Sequence, residues 1–225
     1  MKIAILGNGK MGQKISEIAI KKGHTILCST NSKNKAELID LSIADVGIEF
    51  STPNTAFTNI SHAINSGIPV ISGTTGWLNK LKEVHLICNR KKGAFLYASN
   101  FSIGANLFFE LNKKLAHIMK NYNYNSNIYE IHHTEKLDNP SGTAITLKEQ
   151  IEDILDSNTP IKASRIKDTT GIHQVEYTSE IDEIQIKHTA KNRDGFALGA
   201  IMAAEWIIGK QGVFSMHDIL SEKKI

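Results

Sequence analysis

The stretch KIAILGNGKMGQKI, residues 2–15, decides the fold, because a short apolar run is followed by three spaced glycines and then by helical spacing. Glycines at Gly7-x-Gly9-x-x-Gly12 allow a tight turn and a close approach of the backbone to a pyrophosphate. The N-terminus of the following helix would stabilise the charge of that pyrophosphate. A merely structural turn is the alternative, but the position in the first strand–helix unit favours dinucleotide binding. The residues predicted to contact the cofactor here are Gly7, Asn8, Gly9, Lys10, Met11 and Gly12.

Strand and helix patterns alternate from this loop to residue 102. Apolar runs rich in Ile and Val predict strands at residues 2–6, 24–29, 45–51, 68–72 and 93–99. Helical spacing predicts helices at residues 11–23, 33–41, 54–67 and 77–93. Short links between alternating elements predict an α/β fold of the Rossmann type, with a doubly wound parallel sheet.

The pattern changes after residue 102. It predicts two helices, at 105–121 and 142–154, and four strands, at 125–135, 162–168, 172–179 and 181–191. Neighbouring strands without helices between them favour a mixed or antiparallel sheet, and hence an inserted α+β domain. Helices at 194–210 and 215–220 follow. We therefore predict a dinucleotide-binding domain at 1–102, an inserted domain at 103–193, and C-terminal helices at 194–225 that rejoin the first domain.

Charge and composition limit the classes of function. The formal net charge of the 225 residues is only +3, which argues against a nucleic-acid or membrane partner. The chain has two cysteines, Cys28 and Cys88, both in apolar stretches, so we expect buried free thiols and no disulfide. Neither a signal-peptide pattern nor a membrane-length apolar run occurs. We expect a soluble, cytoplasmic protein.

The segment after the second predicted strand, CSTNSKNK (28–35), bears on the choice of cofactor. An acidic residue there would hold a free ribose 2′-hydroxyl, and none occurs before Glu37. Lys33 or Lys35 could instead neutralise a 2′-phosphate. The segment favours NADPH over NADH, with the alternatives that both lysines face water and that either cofactor is used.

Two further loops follow predicted strands, where ligands bind in parallel sheets. The first contains Gly73, Thr74 and Thr75, and the second contains Ala98, Ser99, Asn100 and Phe101. Helix capping explains either loop alone. Because both lie where a nicotinamide would bind, we expect them to contact the cofactor.

The stretch EIHHTEKLDNPSGTA, residues 130–144, concentrates polar groups. His132 and His133 would end a strand with side chains on opposite faces, and Lys136 would follow on a turn. The helix start at Ser141-Gly142-Thr143 offers N–H groups and hydroxyls that suit a carboxylate of a dianionic substrate. Lysine and histidine can each deliver a proton. No metal site is expected, because adjacent histidines do not readily chelate one ion and no further histidine or cysteine is suitably spaced. A capped helix beside partly exposed histidines is the structural alternative.

The same stretch carries a resemblance to a known family. The pattern E-x-H-H-x-x-K-x-D-x-P-S-G-T-A is complete from Glu130 to Ala144. Together with the glycine loop, GTTGW (73–77), ASNFSIGANL (98–107) and HTAKNRDGFALGA (188–200), it makes the chain resemble the dihydrodipicolinate reductase family through residue 208. The resemblance implies NAD(P)H-dependent reduction of 4-hydroxy-tetrahydrodipicolinate to tetrahydrodipicolinate, in the diaminopimelate route to lysine.

The resemblance also implies roles for single residues. His132 and Lys136 would be the catalytic acid/base residues, and His133 would bind the substrate. Gly142 and Thr143, beside Ser141, would hold a substrate carboxylate. Family members are usually homotetramers joined through the sheet of the inserted domain, which implies a substrate-binding and oligomerisation role for residues 103–193. Two alternatives are another nicotinamide dehydrogenase with a Rossmann domain and a catalytically inactive nucleotide sensor, and the histidine–lysine stretch separates the reductase from both.

Overall fold

The computed structural model describes residues 1–31, 33–136 and 138–222. Ser32, Leu137 and the last three residues of the predicted C-terminal segment, 223–225, lie outside the described residues. The chain forms two compact units, one of Met1–Ser102 with Asp194–Ile225 and one of Ile103–Arg193. The strands are β1 (Lys2–Leu6), β2 (Thr25–Thr30), β3 (Val46–Glu49), β4 (Val70–Ser72), β5 (Ala94–Tyr97), β6 (Asn125–His132), β7 (Ile161–Arg165), β8 (Gly171–Thr178), β9 (Glu183–Ala190) and β10 (Gly212–Phe214). The α-helices are α1 (Lys10–Lys21), α2 (Pro53–Asn65), α3 (Leu81–Lys91), α4 (Ile103–Met119), α5 (Gly142–Leu155), α6 (Asp194–Ile207) and α7 (Met216–Glu222).

The first unit contains a six-stranded sheet in the order β10-β5-β4-β3-β1-β2, and every pairing in it is parallel. On one face, Ile5 and Ile48 pack with residues of α1 and α6. On the other face, Leu6, Val70 and Phe95 pack with residues of α2 and α3. Each such buried side chain contributes about 1.5–3 kcal/mol. The predicted Rossmann-type α/β fold is confirmed.

Two details of this unit differ from the prediction. The helix predicted at 33–41 is only a short 3-10 turn, Ala36–Leu38. The side-chain oxygen of Asn31 accepts hydrogen bonds from the backbone N–H groups of Lys33 and Asn34, which competes with helix initiation there. Strand β10 was not predicted, because three residues carry no periodic pattern and only pairing with β5 makes them a strand.

The glycine loop connects β1 to α1 at the point where the strand order reverses, since β1 lies between β2 and β3. Gly7 has φ +119, and a Cβ there would lie 2.3 Å from the carbonyl oxygen of Phe50. A Cβ on Gly12 would lie 1.9 Å from the carbonyl oxygen of Gly7. Glycine is therefore required at both positions for the loop to close against the helix and the neighbouring strand.

The second unit contains a four-stranded mixed sheet in the order β7-β6-β8-β9. Strands β6 and β7 are parallel, whereas β6–β8 and β8–β9 are antiparallel. Alternate residues of β6 and β8 are buried, and on that face Ile128, Val175 and Tyr177 pack with Phe108 of α4 and Leu147 of α5. This sheet positions the polar residues that end β6 and begin β8.

Candidate active site

The glycine loop borders a cavity of about 630 Å³ in the first unit. Its lining includes Gly7, Asn8 and Gly9, together with Asn31 and Lys35 beyond the end of β2. A Cβ on Gly9 would meet nothing within 4 Å, so the backbone is open to a ligand at that point. Helix α1 begins after Gly9 without a side-chain cap and without an acidic residue in its first turn. These features suit a pyrophosphate.

A second cavity of about 340 Å³ in the same unit joins two of the predicted loops. It is lined by Gly9, Lys10, Met11, Phe50, Ser51, Pro53, Gly73, Thr74 and Thr75. Other predicted cofactor residues do not line either cavity. Gly12 is buried beneath the loop, and Lys33 lies outside the lining although Lys35 is part of it.

The predicted loop Ala98–Phe101 contributes to packing in this unit. Phe101 is buried, and its ring lies 5.5 Å from that of Phe50, which lines both cavities. Ala98 is also buried, and its N–H donates to the carbonyl of Ser72. Ser99 is exposed and Asn100 half-buried. In this structure the loop therefore supports Phe50 rather than lining either cavity itself.

A buried carboxylate, not singled out from the sequence, holds the cavity loops together. Glu49 ends β3, is 0% exposed, and accepts hydrogen bonds from the hydroxyls of Ser51, Ser72 and Thr74, the last two at 2.6 and 2.9 Å. Burial raises the pKa of Glu49, and the hydrogen bonds from these three residues oppose the rise. The carboxylate thus fixes the loops after β3 and β4, both of which line the second cavity.

In the second unit, His132 ends β6 and faces a buried polar network. Its Nδ1 lies 3.5 Å from Oε2 of Glu130, which is 1% exposed. Glu130 accepts hydrogen bonds from the N–H of Ser141 at 3.0 Å, from the Ser141 hydroxyl, and from Nη1 of Arg165 at 3.1 Å. His173 contacts the same carboxylate, with Nε2 at 3.7 Å. The sheet register explains the cluster, since Glu130 pairs with His173 and His132 with Arg165.

The network gives Glu130 and His132 different protonation states. Burial opposes ionisation of Glu130, but Nε2 of His173 at 3.7 Å, the hydrogen bonds from Ser141 and the charge of His132 outweigh it, and the pKa of Glu130 falls to about 2. Burial and the neighbouring His173 lower the pKa of His132 to about 4, against the opposing effect of Glu130. At neutral pH, Glu130 is therefore an anion and His132 is a neutral imidazole.

The start of α5 lies beside this network. Ser141 is the N-cap, and its hydroxyl accepts a hydrogen bond from the N–H of Ala144. The N–H and hydroxyl of Ser141 both donate to Glu130, so they point into the protein, whereas Gly142 is exposed and Thr143 half-buried. Lys136 forms an ion pair with Asp138, with Nζ 2.8 Å from Oδ1.

His133 follows β6 and lies on a different surface from His132, as the predicted alternation requires. It lines an open cavity of about 320 Å³ together with Thr134, Glu135, Lys167, Asp168, Thr169, Thr170 and Arg193. His132, in contrast, is 7% exposed. The side chains of the two adjacent histidines therefore lie in different environments.

Sequence spacing gave no further histidine suited to a metal site, but the fold brings His173 next to His132. Glu130, His132 and His173 present ligand atoms within 4.8 Å of one another, the donor set of a metal site. The hydrogen-bond partners argue for a polar network instead, because Arg165 and Ser141 already compensate the charge of Glu130. His173 lies 41 residues beyond His132 in the chain, and its only sequence signal was its place in an alternating strand.

Two family models match the chain over nearly its whole length. The model described as "Dihydrodipicolinate reductase, N-terminus" matches residues 1–101. The model described as "Dihydrodipicolinate reductase, C-terminus" matches residues 104–220. None of the helices in the described part of the chain has the length and apolar composition that a membrane span requires.

Curated relatives and solved structures agree with these matches. The 4-hydroxy-tetrahydrodipicolinate reductase of Christiangramia forsetii is 47% identical over 236 residues, which cover 99% of this chain and 98% of that protein. The enzyme of the same name from Thermosipho africanus is 34% identical over 224 residues, 99% of each chain. A dipicolinate-bound dihydrodipicolinate reductase from Paenisporosarcina sp. TG-14 shares the fold, with a TM-score of 0.82, 21% identity, and coverage of 97% of this chain and 99% of that one. GenD2 from gentamicin A biosynthesis, solved in complex with NAD, has a TM-score of 0.61 at 10% identity, covering 93% of this chain and 86% of its own.

Proposed function

The chain belongs to the dihydrodipicolinate reductase family, and on that premise we propose how its own residues bind and reduce the substrate. It is an oxidoreductase that reduces 4-hydroxy-tetrahydrodipicolinate to tetrahydrodipicolinate in the diaminopimelate route to lysine, and it uses a pyridine nucleotide. The observation that carries the proposal is the neutral His132 on an ionised Glu130, beside Lys136 and the start of α5.

We propose that the glycine loop, with Gly73, Thr74 and Thr75, holds the cofactor. The uncapped start of α1 and the open space at Gly9 support this assignment. Among the predicted residues, those assigned to direct contact with the cofactor line the two cavities, and they are Gly7, Asn8, Gly9, Lys10, Met11, Gly73, Thr74 and Thr75. When bound, the nicotinamide supplies hydride to the substrate.

NADPH is the cofactor that the chain is proposed to prefer over NADH. Lys35 lines the larger cavity beyond the end of β2, where a cation would neutralise a ribose 2′-phosphate. Glu37 lines the same cavity and, as a carboxylate, favours a free 2′-hydroxyl. We give more weight to Lys35 because no acidic residue precedes it after β2.

Lys136 is proposed as the acid of the reaction. The conversion adds a hydride and a proton and releases the 4-hydroxyl group as water, which leaves before the hydride adds. The ammonium group of Lys136 would stabilise the negative charge that develops on the substrate during the reduction and would then donate the proton. His132 is proposed to assist as a neutral imidazole, because its pKa of about 4 leaves it unprotonated at neutral pH. The ionised Glu130 lies 3.5 Å from its Nδ1.

The substrate is a dicarboxylate, and its carboxylates are assigned to Gly142, Thr143 and His133. The positive helix dipole at the start of α5 favours one carboxylate, and the N–H of Gly142, which donates to the carboxylate of Asp138, would donate to the substrate in its place. Ser141 is proposed to support this subsite from inside, since both of its donors engage Glu130. No metal ion is assigned to the site.

We further propose that the enzyme is a cytoplasmic homotetramer with no nucleic-acid or membrane partner. In the part of the second unit that the structure describes, α4 and α5 pack on the face of the sheet that carries Ile128 and Val175, and on the opposite face the side chains of Tyr129, Ile131 and Ile172 are half-buried. A second copy of this sheet would cover that face. Light scattering on the purified chain tests the assembly, and a monomer at micromolar concentration would contradict it.

A coupled assay tests the function itself. Pyruvate and aspartate semialdehyde are condensed enzymatically, this protein is added, and the loss of reduced nicotinamide absorbance is followed with NADPH and NADH in parallel. We expect oxidation that depends on the condensing enzyme and is more efficient with NADPH. A folded protein that binds NADPH but shows no such oxidation would favour another substrate or a sensor.

A further inference from the structure

We propose that His173 is a positioning residue of the substrate site, which acts by fixing the Ser141 hydroxyl on Glu130 and thereby the start of α5. The inference rests on the proposed function, because it takes the start of α5 as the carboxylate subsite. His173 lies outside the motif of residues 130–144, on a strand that the sequence predicted only from its alternating pattern.

The imidazole of His173 contacts three members of the network, His132, Ser141 and Glu130. It is 5% exposed, and its ring lies edge-on to that of His132, with centroids 4.9 Å apart and planes at 67°. Its Nε2 lies 3.2 Å from Oγ of Ser141 and 3.7 Å from Oε2 of Glu130. The register pairs Glu130 directly with His173 across β6 and β8, so the position is fixed by the sheet and not by a loop.

The hydrogen bonds of the Ser141 hydroxyl decide the role of His173. A hydroxyl has one proton and two lone pairs. Its proton goes to Glu130, since that carboxylate is ionised and can only accept. One lone pair accepts from the N–H of Ala144, so the remaining one accepts from His173. The imidazole of His173 therefore carries a proton on Nε2.

The cluster is not a hydrolytic triad, although it contains serine, histidine and glutamate. In such a triad the carboxylate binds Nδ1 of the histidine, whose Nε2 accepts the proton of the serine. Here Glu130 and Ser141 both face Nε2 of His173, and the serine is 2% exposed with its proton directed at Glu130. The serine is thus held as a cap and is not activated as a nucleophile.

The consequence for the substrate site follows from the N-cap position of Ser141. Removing the donor at His173 leaves a lone pair of the Ser141 hydroxyl unsatisfied in a buried place and lets the hydroxyl rotate away from Glu130. The first turn of α5, with Gly142 and Thr143, then loses its fixed position. The affinity for the substrate carboxylate should therefore fall more than kcat, because the position of Lys136 does not depend on the Ser141 hydroxyl.

The test compares two substitutions by binding of dipicolinate, a stable dicarboxylate, and by steady-state kinetics. The amide nitrogen of glutamine reaches about as far as Nε2, whereas that of asparagine reaches only as far as Nδ1. We expect His173→Asn to raise the Kd of dipicolinate and the substrate KM about tenfold. His173→Gln should stay within about threefold of wild type. Neither should change the KM of NADPH, and His117→Asn, at an exposed position of α4, is the matched control.

Three outcomes decide the proposal. A folded His173→Asn variant with the dipicolinate affinity of wild type overturns it while leaving the reductase function intact. Wild type that does not bind dipicolinate at all contradicts the substrate subsite, and the role of His173 falls with it. Where His173→Asn does not fold, the ¹⁵N shifts of the labelled wild-type imidazole decide, since a His173 protonated only on Nδ1 is incompatible with the proposal.

Discussion

Nδ1 of His132 lies 3.5 Å from Oε2 of Glu130, and both residues are buried at the end of β6. The pair joins an anion with a pKa of about 2 to an imidazole with a pKa of about 4. A carboxylate with so low a pKa contributes stability that is complete above its unfolded value of 4.5 and is lost as pH falls towards 2.

Glu130→Gln is therefore expected to destabilise the protein in a pH-dependent way. At neutral pH the free energy of unfolding of the variant should be about 3 kcal/mol lower than that of wild type, because Arg165 loses its buried counter-charge. The difference from wild type should shrink between pH 4.5 and 2, where wild-type Glu130 becomes protonated. Urea unfolding across this range measures it, with the exposed Glu149→Gln as control. A difference that does not vary with pH would contradict the assigned pKa.

Lys136→Ala is expected to lower kcat by roughly a hundredfold or more, the usual effect of removing a group that stabilises charge in the transition state. The side chain is 24% exposed and pairs with Asp138, so the fold should survive. Steady-state kinetics with circular dichroism measure both properties. Lys114→Ala, at an exposed position of α4, should be unchanged. Wild-type turnover in the Lys136 variant would remove this residue from the mechanism.

Lys35→Ala is expected to reduce the preference for NADPH over NADH by roughly tenfold, the typical value of one charge-assisted contact. Lys33→Ala is the matched comparison, because Lys33 is close in sequence but does not line the cavity. The ratio of kcat/KM for the two cofactors measures the effect. If Lys33 carried the larger effect, the 2′-phosphate would bind elsewhere than at the cavity edge.

Glu49→Gln is expected to raise the KM of the cofactor about tenfold, because an amide cannot accept all of the hydrogen bonds that Glu49 accepts. The loops that carry Ser51 and Thr74 would then lose their common anchor. The substrate KM should not change. Kinetics in both substrates measure the split, with the exposed Glu83→Gln as control. An equal rise in both KM values would indicate general destabilisation instead.

Gly12→Ala and Gly9→Ala should separate folding from binding in the glycine loop. A Cβ on Gly12 would lie 1.9 Å from the carbonyl oxygen of Gly7, so this variant should lose several degrees of melting temperature. A Cβ on Gly9 meets no protein atom within 4 Å, so that variant should fold normally but bind NADPH more weakly. Thermal melts and cofactor titration measure the two effects. Normal NADPH affinity in a folded Gly9→Ala would place the pyrophosphate away from this glycine.

The sequence alone determined the architecture and, within the site, the residues of the motif at 130–144. Periodic apolar runs are local signals, so strands such as β1 and β6 and helices such as α5 were predicted within a few residues. The motif of residues 130–144 is contiguous, which brought His132, Lys136 and Gly142 together without any knowledge of the fold.

Only the tertiary structure decided what surrounds these residues. Strand pairing places His173 and Arg165 on Glu130 across 43 and 35 residues of chain, and no local pattern encodes such a register. The same holds for Glu49, whose partners Ser72 and Thr74 come from the neighbouring strand and the loop after it. Protonation states depend on burial and on these distant partners, so a neutral His132 above an ionised Glu130 follows from the fold and not from the motif.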